Sequence, residues 1–227
     1  MPVVRQELAE YARKIAAAGL TAGAGGNLSA REGRLVWVKP SGLAVAELKG
    51  PDLCAVDLAT GRQVEGKLRP TSELPMHLAI YRARPDVQAI FHTHSPWASG
   101  VISSGEDIRP MFAEVVNDLG GVAFVPYLMT STQELADAVA EAARDNDTIF
   151  MSNHGVVALG RTMRQAFFRC EVAEDAAKAL VAARLAGRPA FLTEAQVEAL
   201  RKLEGGAHRK RMMERLFGIG FHATFRG

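Results

Sequence analysis

The chain has 227 residues, 48% of them hydrophobic and 23% charged, with a formal net charge of +2. That balance fits a globular protein able to bury one good-sized core and excludes a disordered one. It offers no electrostatic reason to bind nucleic acid or an anionic membrane, and the two cysteines, Cys54 and Cys170, form neither a CxxC pair nor a secreted disulfide framework.

The opening stretch "MPVVRQELAEYARKIAAAG" is charged and amphipathic, unlike a signal sequence. Leu8, Tyr11, Ile15 and Ala18 recur in it at helical spacing, and Gly19 marks the stop. No apolar run approaches spanning length, so the expected location is cytoplasmic, with no membrane or nucleic-acid partner. "TAGAGGNLSA" reads as a glycine-rich turn, "RLVWVKPSG" as a short strand, and "LCAVDLATGRQVEG" as two strands about a Thr-Gly turn. "PTSELPMHLAIYRARPD" is a helix with Thr71 or Ser72 as its N-cap, ending before Pro85. An apolar strand follows from Ala89, then a loop, an apolar run at 122–125, and a helix opened by a capping box, Ser131-x-x-Glu134. "DTIFMSNHGVVALG" is strand-like with a break at Asn153-His154-Gly155. A long helix from about Thr162 to Leu185 and two shorter ones separated by Gly205-Gly206 complete the reading. The basic run "HRKRMME" (208–214) reads as the solvated face of a late helix. Strands and helices interleave without repeats or a linker, and several strand–strand links are too short for crossover helices. The expectation is a single α/β domain over residues 1–227 with a mainly antiparallel or mixed sheet.

The strand "AIFHTHSPW" (89–97) carries two histidines one residue apart. On an extended chain His92 and His94 share one face, while Phe91 and Thr93 point to the other. The pair is either half of a metal site or two polar residues near a strand end. His154, before Gly155 in an otherwise apolar segment, reads singly as a loop histidine. Joined to the pair, it makes three neutral imidazoles with an open position, the pattern of catalytic zinc. His77 shares a helix face with Glu73 and lies between apolar Met76 and Leu78, so it reads as a packing residue or a support for the site. His208 and His222 are not expected to be ligands. Glu73 either answers the helix dipole or, beside a metal, acts as general base or exchangeable ligand. "GGN" (25–27), "PSG" (40–42) and "TS" (71–72) are each ordinary turn or cap chemistry; together they could surround one anion.

Taken in order, GGNLS, KPSG, PTSE, HTHS and NHG resemble the class II aldolase/adducin family over about residues 5–215, near its short bacterial sugar-phosphate enzymes. The resemblance implies a three-layer α/β/α sandwich and a homotetramer with active sites between subunits. It implies that His92, His94 and His154 bind Zn²⁺, with Mn²⁺ or Co²⁺ also compatible with imidazole ligands. Glu73 would move the proton, and Gly26, Asn27, Ser41, Gly42, Thr71 and Ser72 would hold a substrate phosphate. The implied activity is aldol cleavage of a small phosphorylated sugar or related hydroxy compound through a metal-stabilised enediolate. The same chemistry serves an epimerase, a dehydratase or a decarboxylase, and a non-catalytic adducin-like scaffold is the reading from another class. The chain departs from the family in "MFAEVVNDLGG", which lacks the tyrosine of the aldolases; Glu114 stands at about that place, with Asp118 behind it, as a second acid–base candidate. No tyrosine follows Tyr127, so Phe217, Phe221, His222 or Phe225 would have to serve in the C-terminal tail (217–227), and Ala24 replaces a phosphate-contacting threonine. Two other HxH folds fail: a cupin needs a glutamate soon after the pair, where this chain has Ser95-Pro96-Trp97-Ala98-Ser99, and an amidohydrolase barrel needs around 250 residues.

Overall fold

A computed structural model describes residues 3–203. His208, His222, the phenylalanines of the tail, the basic run and the last helix expected from sequence lie outside the described residues. Strands β1 (Asn27–Glu32), β2 (Leu35–Val38), β3 (Cys54–Asp57), β4 (Gln63–Glu65), β5 (Ala89–Thr93), β6 (Val122–Val125), β7 (Thr148–Met151) and β8 (Gly155–Gly160) form one sheet in the order β4-β3-β2-β1-β5-β8-β7-β6. Every neighbouring pair is antiparallel except β6 and β7. The mixed, mainly antiparallel sheet expected from the short connections is therefore present.

Helices cover both faces, because successive side chains of the inner strands are apolar in both directions. On one face α2 (Leu74–Ala83) and α5 (Gln133–Ala142) bury Met76, Ile80, Leu135 and Val139 against Val36, Val56, Ile90 and Val157. On the other, α1 (Val3–Ala17) and α6 (Met163–Ala186) bury Leu8, Ile15 and Phe167 against Leu28, Trp37 and Phe91. Beside them α3 (Pro96–Ser103) and α4 (Ala113–Asp118) pack Ile102 and Leu119 on Phe150 and the later part of α6. The three-layer sandwich is complete, and α7 (Glu194–Lys202) follows it with no buried residue. No helix among the described residues is long and apolar enough to cross a membrane.

Four local expectations need correction. The glycine-rich "TAGAGGNLSA" is a turn only as far as Gly26; from Asn27 it is strand β1, the central partner of β5. The loop expected after the histidines contains α3 and α4. Helix α3 takes its cap from a distant residue: the buried Glu174 carboxylate accepts from Trp97 N and Ala98 N at 3.0–3.2 Å. The N-cap of α2 is Glu73, not Thr71 or Ser72, and its side chain makes no capping bond. Thr71 instead accepts from Glu73 N at 3.3 Å, and Pro75, which has no N–H to satisfy, sits in the first turn. At α5 the cap is Thr132, accepting from Leu135 N at 3.2 Å, because Ser131 has φ 64°, outside the extended backbone a cap requires.

Candidate metal centre

Strand β5 lies in the middle of the sheet, and its alternation decides where the histidines go. Ala89 and Phe91 enter the α1/α6 core, Ile90 enters the α2/α5 core, and His92 follows Ile90 on that side, with His94 just beyond the strand end. The third histidine arrives on the next hairpin: β7 and β8 are joined by Ser152-Asn153-His154, a turn made possible by Asn153 at φ 56°. Gly155 then admits the rings. A Cβ there would overlap Thr93 O and stand 3.2 Å from both His92 and His94. Gly25 does the same from the other side, where a Cβ would lie 2.8 Å from His94 Nδ1.

The donor atoms of His92, His94 and His154 all lie within 4.8 Å of one another. His94 Nε2 is 3.0 Å from His92 Nε2, and the Glu73 carboxylate is 3.2 Å from His92 Nε2 and 3.1 Å from His154 Nε2. His92 donates Nδ1–H to Val156 O at 3.1 Å, which leaves its Nε2 lone pair directed at the carboxylate. Two such electron-rich atoms, both buried, repel unless a cation stands between them. Two nitrogens on one tetrahedral zinc are about 3.3 Å apart, given Zn–N bonds near 2.0–2.1 Å. The residues therefore fit a divalent ion on the three Nε2 atoms with Glu73 beside it.

Electrostatics agree with that set. Burial, then the neighbouring His92 and His154, push His94 down to about 4, so its nitrogen lone pair is free at neutral pH. Burial raises the Glu73 carboxyl, but the electrostatic pull from the side of His92 and then His154 outweighs it and holds the group well below the usual carboxylate range, the same sense of charge that a cation held by the rings would supply. Lys39, buried and pushed down by desolvation, points its ammonium at Ala24 O and Pro40 O, both at 3.3 Å.

The remaining candidates divide. A single bridge between Pro40 and Pro70 brings "PSG" beside "TS", with Ser41 N donating to Arg69 O at 2.9 Å and Thr71 N to Lys39 O at 3.1 Å. Ser41, Gly42 and Ser72 are exposed there, while Thr71 is buried. Gly26 at φ 65° makes the turn into β1, where a Cβ would lie 2.8 Å from His92 O. The side chain of Asn27 is occupied by Glu73 and His77. Glu114 lies exposed in the first turn of α4, and Asp118, at the other end of that helix, lies close enough to Arg169 to act on its charge. Ser29 and Tyr81 are not among the sequence-predicted site residues, yet both are buried beside the site, Ser29 Oγ meeting His77 Nδ1 on one side and the Tyr81 hydroxyl on the other; the polar alternation of "NLS" and the four-residue spacing from His77 to Tyr81 are their signals in the sequence.

Residues 6–181 match the family model of the class II aldolase and adducin N-terminal domain. The chain is 38% identical to a 5-deoxy-D-ribulose 1-phosphate aldolase from Bacillus thuringiensis serovar kurstaki over 205 residues, 88% of this chain and 95% of that one. It is 32% identical over 206 residues to a 3-oxo-tetronate 4-phosphate decarboxylase from Escherichia coli K12, covering 87% and 95% of the two chains. Its structure superposes on an L-fuculose 1-phosphate aldolase with a TM-score of 0.82 at 32% identity, covering 88% of this chain and 95% of the other.

Proposed function

The chain belongs to the class II aldolase and adducin family, and on that premise we propose that it is a metal-dependent aldolase cleaving a small phosphorylated ketose or a related hydroxy compound. The observation that carries this reading is the meeting of three imidazole Nε2 atoms with a buried, ionised carboxylate at 3.0–3.2 Å. His92, His94 and His154 would hold the ion, for which zinc suits the ligand set and manganese or cobalt are compatible. When bound, such an ion supplies a Lewis acid for the substrate's carbonyl and adjacent hydroxyl oxygens and stabilises the charge left when a carbon–carbon bond breaks.

The chain's own residues do the rest. Glu73, ionised and already at the ligand nitrogens, takes or returns the proton on the carbon beside the carbonyl. Gly26, Ser41, Gly42, Thr71 and Ser72 orient the substrate by its phosphate; the Pro40–Pro70 bridge, which gathers two of these clusters, supports that role. Asn27, whose amide serves Glu73, would contribute there through its main chain. Glu114 is the second acid–base candidate. Its exposure suits a homotetramer whose active sites lie between subunits, where a neighbouring copy would both bring such a side chain to the reaction and exclude water.

A second reading, decarboxylation of a 3-oxo acid phosphate, is favoured by the length of the match to the Escherichia coli decarboxylase. Loss of carbon dioxide leaves the same kind of carbanion as aldol cleavage. Proton NMR of zinc-loaded protein with pentulose, hexulose and 3-oxo-tetronate phosphates, run with a chelator control, separates the two by their products. A chelator-sensitive aldehyde and three-carbon phosphate support the aldolase; a decarboxylated ketose supports the second reading. No turnover of any of them with metal bound would overturn the phosphorylated-substrate reading.

A further inference from the structure

Behind Glu73, on the side away from the histidines, lies a file of buried polar groups that cleavage as described does not use. Glu73, His77 and Tyr81 follow one another at four-residue spacing along α2, and Asn27 and Ser29 alternate on β1, so the five side chains meet in the seam between helix and sheet. Asn27 Nδ2 donates to Glu73 Oε2 at 2.7 Å, and His77 Nε2 is 2.5 Å from Asn27 Oδ1. His77 Nδ1 is 2.7 Å from Ser29 Oγ, which is 3.0 Å from the Tyr81 hydroxyl. Ser29, His77 and Tyr81 are wholly buried.

The direction of every bond in this file is forced. An ionised carboxylate can only accept, so Asn27 must present its NH₂ to Glu73 and its carbonyl oxygen to His77. That oxygen needs a donor, which places the His77 proton on Nε2. Nδ1 must then accept from the Ser29 hydroxyl, which in turn accepts from Tyr81. Burial, with the neighbouring His92, lowers His77 to about 3, so the ring is neutral at neutral pH and can take this single tautomer. Four donors in line all point at Glu73. Aliphatic side chains would fill the same seam without burying any polar group, so stability alone does not account for the arrangement.

We propose that His77 is a positioning residue for Glu73: it locks Asn27 in the orientation that donates to Oε2 and thereby keeps Oε1 turned toward His154 and the reacting centre. Without the His77 donor the Asn27 amide is free to rotate, and the carboxylate loses the contact that sets its angle. The inference rests on the proton-moving role proposed for Glu73.

The test uses the zinc-loaded full chain. Imidazole ¹⁵N NMR should find His77 neutral and protonated on Nε2 at neutral pH; an Nδ1–H ring or an imidazolium overturns the proposal. His77→Phe should bind zinc at the wild-type stoichiometry and keep KM while kcat falls about 10- to 100-fold. His77→Gln, whose amide nitrogen reaches the position of Nε2, should recover most of that loss. Unchanged kcat in His77→Phe, activity lost only in step with zinc, or no recovery in His77→Gln would each refute it. If His77→Phe does not fold, the wild-type tautomer decides. If no phosphorylated substrate reacts, the proposed function fails, while the tautomer still tests the file independently.

Discussion

At His94 the requirement on a single side chain is easily stated: its Nε2 completes a cluster in which His92 Nε2 is 3.0 Å away. His94→Ala leaves two imidazoles and should reduce bound zinc, measured by elemental analysis, from near one per chain to little or none; full occupancy would remove His94 from the site. Glu73→Gln keeps size and hydrogen-bonding reach but removes the charge and the proton acceptor. Zinc should stay bound while kcat falls by at least about 10²-fold, the usual loss of a general base; wild-type turnover would exclude Glu73 from proton transfer. His92 in β5, His94 just past its end and the glycine after His154 were legible in the sequence because strand alternation and glycine's small size act locally. The distance of Glu73 from them was not, since it depends on where α2 lands across the sheet. Asn27 shows the limit most clearly. Its motif suggested an anion contact, whereas its side chain is spent on Glu73 and His77.

Among the elements, the long periodic ones were legible and their ends were not. Helix α6 begins one residue after the expected Thr162, whose hydroxyl accepts from Gln165 N at 3.2 Å. Helix α3 could not be read at all: eight residues containing Gly100 have little helical propensity, and the carboxylate that caps them lies on α6, at Glu174. The misplaced cap of α5 yields a direct check. Thr132→Ala should cost about 1 kcal/mol of stability, lowering Tm by about 2–4 °C for a chain of this size. Activity should not change, because Thr132 Oγ1 is engaged by Met129 O and Leu135 N. Ser131→Ala should be less damaging as a cap deletion; a larger loss there than at Thr132 would reinstate the capping box.

Across the whole molecule, one carboxylate ties the layers together. Asp147 receives Arg84, just past the end of α2, at 3.0 Å and Arg169 of α6 at 2.6 Å, so it links helices on opposite faces of the sheet. Arg169 is almost fully buried and also donates to Leu159 O. Asp147→Asn removes the carboxylate bonded to that guanidinium, leaving Asp118 as the remaining acidic neighbour, and should lower stability to denaturant by about 3 kcal/mol; a change under about 1 kcal/mol would show that Asp118 and the Leu159 carbonyl satisfy the buried arginine without Asp147. The placement of the histidines has a kinetic counterpart. The strand order puts β5 between the half-sheet β4-β3-β2-β1 and the half-sheet β8-β7-β6, so Glu73 reaches the centre from one side and His154 from the other. Sixty residues of chain separate His94 from His154, and pairings that distant form late, after the entropy of closing the loop has been overcome. The ion should therefore be a last arrival and not a nucleus: refolding with a chelator present should reach the full far-UV spectrum at the rate seen with zinc. Zinc added afterwards should raise Tm, by an amount set by its concentration relative to Kd. A refolding rate that rises with zinc would instead mean that the metal gathers the two half-sheets while they are still apart.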